Sequence, residues 1–295
     1  MVAVANTAEG GVDETTVTTL NSGGASGRAW DTVTVGPGAT MVYDSAVAAH
    51  GGLAYRIATG GTSAQAWVGW TGGTLGALPR YFGRCYFMIS AGLLGSTIVT
   101  LMRARAGATQ SSRVSVTTGN KLSIRNTSNG QVAVGAVNIA ADTWYRAEWD
   151  IAVGAAADGF AKLFLGDSTS ALDNLSAPAA NFGASNVDEV GFGVVASAAN
   201  HGTYWVDDLQ VNDSAMPGPP APTIVPAGVA VPVALGPPTV RMMVRPNGLA
   251  VPVALGAPAV GMDLAPVIIR PDTSTLTRPD SGVLIRPDTS VITRP

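Results

Sequence analysis

Between residues 15 and 211 the chain is written in short runs of Val, Thr, Ile, Tyr and Trp, separated by clusters of Gly, Asn, Asp and Ser. The runs fall at 15–20, 29–35, 40–43, 53–58, 64–70, 81–89, 97–103, 112–117, 121–126, 131–136, 144–151, 161–165, 189–195 and 203–211. Short β-branched and aromatic runs at this spacing predict antiparallel strands joined by turns, hence an antiparallel all-β sandwich. The alternation is clean at Leu122 and Ile124, which face one way while Lys121, Ser123 and Arg125 face the other. Asn129-Gly130 then predicts a hairpin turn of the primed type. No segment carries an amphipathic helical period.

The pattern changes near Asp213. All eighteen aromatic residues lie between Trp30 and Trp205, whereas sixteen of the nineteen prolines follow Ser214. Proline is excluded from helix interiors and central strands, so an extended Pro-rich repeat tail is expected to follow an aromatic-anchored domain. The expected organisation is a sandwich over 1–213, a Pro/Ala/Val-rich segment with 20-residue repeats over 214–265, and an octad-repeat tail over 266–295. Residues 226–245 align without gaps on 246–265 with twelve of twenty positions identical. Arg270, Arg278, Arg286 and Arg294 then recur at steps of eight. An even period keeps them on one side of an extended chain, together with Leu276, Leu284 and Ile292. A lone apolar strand cannot leave water by itself, so these seven residues are the expected assembly contacts, with copies of the chain, as in a trimer, or with another protein.

Composition narrows the chemistry mainly by exclusion. Seventeen basic and twenty acidic side chains leave a formal charge of -3, and no nucleic-acid partner is expected without a basic excess. Cys85, His50 and His201 are too few for a disulfide framework or a Cys/His zinc cluster. No apolar run reaches membrane-spanning length, and MVAVANTAEGG lacks the basic and apolar regions of a secretory leader.

The segments YFGRCYFMIS (81–90), TWYRAEWDI (143–151), AKLFLGD (161–167) and TYWVDDLQV (203–211) resemble successive strands of the concanavalin A-like, LamG-type jelly roll. Together with the opening NTAEGG and NSGGASG and the repeat tail, the chain also resembles minor tail and other virion proteins of phages that infect actinobacteria. In carbohydrate-binding sandwiches of this type an N-terminal Glu and an Asp of the last strand meet and take calcium. Glu9 and Asp208 occupy the matching places, so the resemblance implies a Ca²⁺ site there, with oxygen ligands suited to that ion.

The hydrolytic members of such folds need two carboxyl groups flanking the scissile bond. Glu148 and Asp150 share a strand face, but the position of a further acid is taken by Ala152 or Val153. Arg146 beside them predicts an exposed charge ladder, with Tyr145, Ala147, Trp149 and Ile151 packing inward. No catalytic residue set is expected, and neither is enzymatic activity. Trp30, Trp67 and Trp70 are the candidate sugar-stacking faces, the core being the competing place for each. The expected function is a virion structural protein of the tail or capsid, made without a leader. Its partners would be other virion proteins and a host surface glycan. The alternative is a secreted or surface glycan-active enzyme or carbohydrate-binding protein of an actinobacterium.

Overall fold

The computed structural model describes residues 2–220 and two short strands at 284–285 and 291–292, side chains at 61–64 and 195–201 excepted. The chain forms two compact units, Met1–Ala221 and Pro222–Pro295. The first unit is almost wholly antiparallel β, with one short helix, α1 (Gly72–Leu75), among the described residues.

Its thirteen strands are β1 (Ala3–Asn6), β2 (Thr32–Val35), β3 (Ala39–Asp44), β4 (Ala54–Thr71), β5 (Arg80–Ile89), β6 (Val99–Ala106) and β7 (Thr109–Val116), followed by β8 (Leu122–Arg125), β9 (Gln131–Val134), β10 (Tyr145–Ala152), β11 (Ala157–Leu165), β12 (Asp173–Ala180) and β13 (Glu189–Asn212). One hydrogen-bonded path, β12-β11-β10-β5-β13-β6-β7-β8-β9, runs through both layers of the sandwich. This is possible because β13 is long. Its second half pairs with β5 and β1 in a front layer, and its first half with β6 in a back layer. β4 follows β13 through both layers, from Tyr55↔Val206 to Thr71↔Glu189. Two pairs of expected strands, 53–58 with 64–70 and 189–195 with 203–211, are therefore single strands that change layer. The Gly, Ser and Ala residues between the apolar runs look like turns in sequence, yet they carry the ladder around the bend.

The layers meet over aromatic side chains. Trp149 of β10 and Phe192 of β13 stand 6.1 Å apart between ring centroids, and Trp30 packs on Trp70 at 4.3 Å. A Cβ added to Gly83 would stand 2.3 Å from Trp149 Cζ2, so glycine at that position lets the indole lie flat on β5. Tyr145, Ala147, Trp149 and Ile151 do pack inward, and Leu122 and Ile124 are buried as their alternation requires.

Two local expectations are corrected, and one strand is added. Residues 15–20 make only an isolated bridge, Thr16↔Val42. Asn129-Gly130 belongs to a wider connection, Asn126 to Gly130, closed by Asn126 N–H donating to Gly130 O (3.0 Å), with Asn129 at φ +62°. β12, with the sequence DNLSAPAA, was not legible as a strand; it lies at the end of the strand order, where Pro178 needs no ladder partner.

In the second unit β14 (Leu284–Ile285) and β15 (Val291–Ile292) pair antiparallel, with Leu284 opposite Ile292. Arg270, Leu276, Arg278, Arg286 and Arg294 lie outside the described residues.

Candidate functional site

The front layer turns one face to the core and the other outward, and the register arranges the outward side chains in rows across the strands. One row runs Ser176, Phe160, Asp150, Phe82, Asn212; the next Asn174, Lys162, Glu148, Arg84, Gln210; the third Phe164, Arg146, Tyr86, Asp207. Arg146 and Glu148 were expected as an exposed ladder, but they are buried at 1% and 3% exposure. The correction follows from what lies over them. Arg146 donates to Glu148 Oε1 (2.7 Å), to the carbonyls of Gly166 and Ser168 (both 2.9 Å) and to the Tyr86 hydroxyl (3.2 Å). Its guanidinium also lies 4.1 Å from the Phe164 ring centroid. Arg84 donates from Nη1 to Gly218 O (2.7 Å) and from Nε to Asp208 O (3.1 Å), so residues beyond Asp213 belong to the first unit. Burial draws the Arg84 guanidinium down from its ordinary range.

At one end of this face the β5–β13 register shifts between Asp207 and Gln210, and Asp208 takes φ +46°. Consecutive strand residues normally point to opposite faces. Here the bulge lets both aspartates reach the same connection between β3 and β4. Asp207 accepts the backbone N–H groups of Ala49 (3.0 Å) and His50 (3.2 Å) on one oxygen and that of Asp208 (2.7 Å) on the other. Asp208 meets His50 Nδ1, and His50 Nε2 faces both oxygens of Asp167 at 2.9 and 3.0 Å. The Tyr86 hydroxyl donates to Asp167 (2.6 Å), and its ring meets the imidazole edge-on at 4.7 Å. Burial, reinforced by the neighbouring Asp208 charge, pushes the Asp207 carboxyl well up. Burial raises Asp208 too, against the pull of His50 and Arg84. Partial burial also acts on Asp167, but hydrogen bonds from Tyr86 and His50 outweigh it and hold that carboxyl below its usual range. Burial lifts the Tyr86 phenol far above its ordinary value. His50 is thus held through both ring nitrogens, Nδ1 by the buried Asp208 and Nε2 by the largely exposed Asp167.

At the other end lies an open cavity of about 350 Å³ lined by Asp150, Phe160, Lys162, Asn174, Ser176 and Met216, among others. Among the described residues Phe160 is the most exposed aromatic side chain, at 37%. The aromatic candidates from sequence are corrected accordingly. Trp30 and Trp70 are core residues at 2% and 0%, and Trp67, at 8%, lies beneath the Arg103 guanidinium (5.2 Å). Trp67 and Trp70 lie on β4 and Trp30 in the connection before β2, all three buried, whereas Phe160 projects from the outer side of β11.

The two calcium candidates bear on the β3–β4 connection. Glu9 accepts the N–H groups of Gly52 and Leu53 (3.0–3.1 Å), and Asp208 holds His50. Among the described residues the one cluster of three acids with metal-ligand spacing is Asp13, Glu14 and Asp44, and Arg56 already pairs with two of them.

No family model matches the chain, and no curated protein matches it. Among solved structures it is similar to the cellulose induced protein Cip1, with TM-score 0.50 and 16% identity over 73% of this chain and 99% of that one. It is also similar to an endo-β-1,4-glucuronan lyase from the fungus Trichoderma reesei, with TM-score 0.47 and 17% identity over 63% and 91%. A third is the alginate lyase Aly36B, with TM-score 0.44 and 9% identity over 72% and 98%. At these identities what is shared is the jelly-roll fold. The expectation that the chain is not an enzyme is corrected: polysaccharide lyases stand among the structures it resembles. A missing pair of hydrolytic carboxyl groups bears on glycoside hydrolysis alone.

Proposed function

We propose that the first unit engages polysaccharide along the outer face of its front layer, as a carbohydrate-active or carbohydrate-binding domain. The observation that carries this reading is the exposed Phe160 ring set in an open groove among Asp150, Lys162, Asn174 and Ser176. Sugars present apolar C–H faces ringed by hydroxyl groups, which an aromatic platform with flanking polar side chains matches. Titration of the full chain with β-linked glucans, mannans and uronate oligomers is expected to find a binder. Phe160→Ala is then expected to weaken it roughly tenfold or more, a loss of about 1.4 kcal/mol. Unchanged affinity would remove the groove from consideration. The His50, Tyr86 and Asp167 constellation gives the same face an acid–base group, so the titrated oligomers are also to be checked for cleavage, both as new reducing ends and as unsaturated sugar.

Calcium belongs to the same reading. Glu9 adds to the charge that raises Asp208, and a hard cation shared between their oxygens would relieve that repulsion. Ca²⁺ is expected to raise the melting temperature over that in chelator by mass action, and Glu9→Ala with Asp208→Asn to abolish the response. Coincident melting curves for the unsubstituted chain would remove the site.

A second reading, that of a virion component, is favoured by the separate repeat-bearing unit Pro222–Pro295. On this reading the repeats dock the sandwich onto a particle through self-association or through another virion protein. Detection of the chain in purified, fractionated virions tests it.

A further inference from the structure

The outer face of the back layer carries arginines in line. Arg103 on β6 stands opposite Arg113 on β7, and Arg113 stands opposite Arg125 on β8. Like charges directly opposite on neighbouring strands repel, and such pairs are normally avoided. Acidic partners do not resolve the repulsion. Glu189, at 3.3 Å from both Arg103 and Arg105, serves the β6 end of the row. Arg113 donates to the Gln110 side-chain oxygen (3.0 Å) and Arg125 to Asn129 O (2.9 Å), and neither forms an ion pair among the described residues. The Nε atoms of Arg113 and Arg125 are both buried without an acceptor. Burial, with Arg103 and Arg125 on either side, draws the Arg113 guanidinium down to about 10. Both residues are half-buried, which leaves part of each side chain to solvent.

We propose that Arg113 and Arg125 form an anion-binding site for the carboxylate groups of an acidic polysaccharide, on the sheet face opposite the Phe160 groove. A guanidinium presents a planar fork of N–H donors that matches the two oxygens of a carboxylate. Adjacent forks on paired strands make a row, and a polymer with a carboxylate on each sugar places several anions along it. Arg113 and Arg125, paired with no acid among the described residues, give up stability for binding.

The probe is oligogalacturonate, with its methyl ester as the uncharged control, titrated into the full chain at fixed ionic strength. Oligogalacturonate is expected to bind, with an affinity that falls as salt rises. The ester is expected to bind at least tenfold more weakly. Arg113→Gln with Arg125→Gln is expected to lower oligogalacturonate affinity at least tenfold, and equally in a Phe160→Ala background, which separates this site from the front groove. The same double substitution is expected to raise the melting temperature, because it removes like-charge repulsion and two buried donors without acceptors; a merely structural row would melt earlier. Arg113→Lys with Arg125→Lys keeps the charge and removes the fork, and is expected to give intermediate affinity. Equal binding of ester and acid, or undiminished binding by the glutamine variant, would overturn the proposal.

Discussion

Replacing Arg146 by Met is expected to destabilise the first unit by about 3–5 kcal/mol, the usual range when one partner of a buried ion pair is removed. Arg146 is 1% exposed, and its guanidinium holds Glu148, two carbonyls of the turn after β11 and the Tyr86 hydroxyl. Without it Glu148 is left as a buried carboxylate with no cation bonded to it, and the carbonyls of Gly166 and Ser168 lose their donors. That turn carries Asp167, so the His50 and Tyr86 contacts loosen with it. Removing both charges as Arg146→Met with Glu148→Leu is expected to recover most of the loss, since an apolar replacement of a buried pair is often neutral. Denaturant midpoints of the two single variants and the double variant form the decisive cycle. Additive losses would mean that the pair is not what holds this face together.

Asp207→Ala is expected to be the next most damaging change, at about 2–4 kcal/mol, because it leaves up to three backbone N–H groups without an acceptor. Two of these, at Ala49 and His50, fix the β3–β4 connection, and the third belongs to the bulge itself. Asp207→Asn keeps an oxygen acceptor and is expected to lose about half as much. Limited proteolysis gives a second reading: cleavage within residues 45–52 is expected to accelerate in the alanine variant well before global unfolding. Cleavage that tracks global unfolding in both variants would show that Asp207 does not hold this connection.

At Arg146 the sequence was misleading, for a general physical reason. An alternating strand pattern tells which residues share a face. It does not tell whether a face meets water, because that depends on connections packed over it from elsewhere in the chain. Arg146 and Glu148 were placed on the correct face and given the wrong environment, since residues 166–168 cover them. The same ambiguity misplaced Trp30, Trp67 and Trp70, large rings whose type fits either a core or a platform. Phe160 had no distinguishing signal at all until β12 was seen to flank it, and β12 itself reads as a polar, proline-bearing turn.

The sequence by itself determined the class of fold. A period of two over short β-branched runs, with Gly and Asn between them, has few solutions other than an antiparallel sandwich, and the inward-facing residues of β8 and β10 follow from it directly. It also located the change of character near Asp213, where aromatic residues stop and prolines begin, although Gly218 still belongs to the first unit. Tertiary structure alone decided how the chemistry is assembled. His50, Tyr86, Asp167 and Asp208 lie in four separate segments and meet because β4 and β13 cross between layers and a bulge turns two consecutive aspartates toward one connection. Register alone put Arg103, Arg113 and Arg125 in line. A one-residue slip would have sent each of them to the core face, so their alignment is a property of strand pairing, which no local pattern encodes.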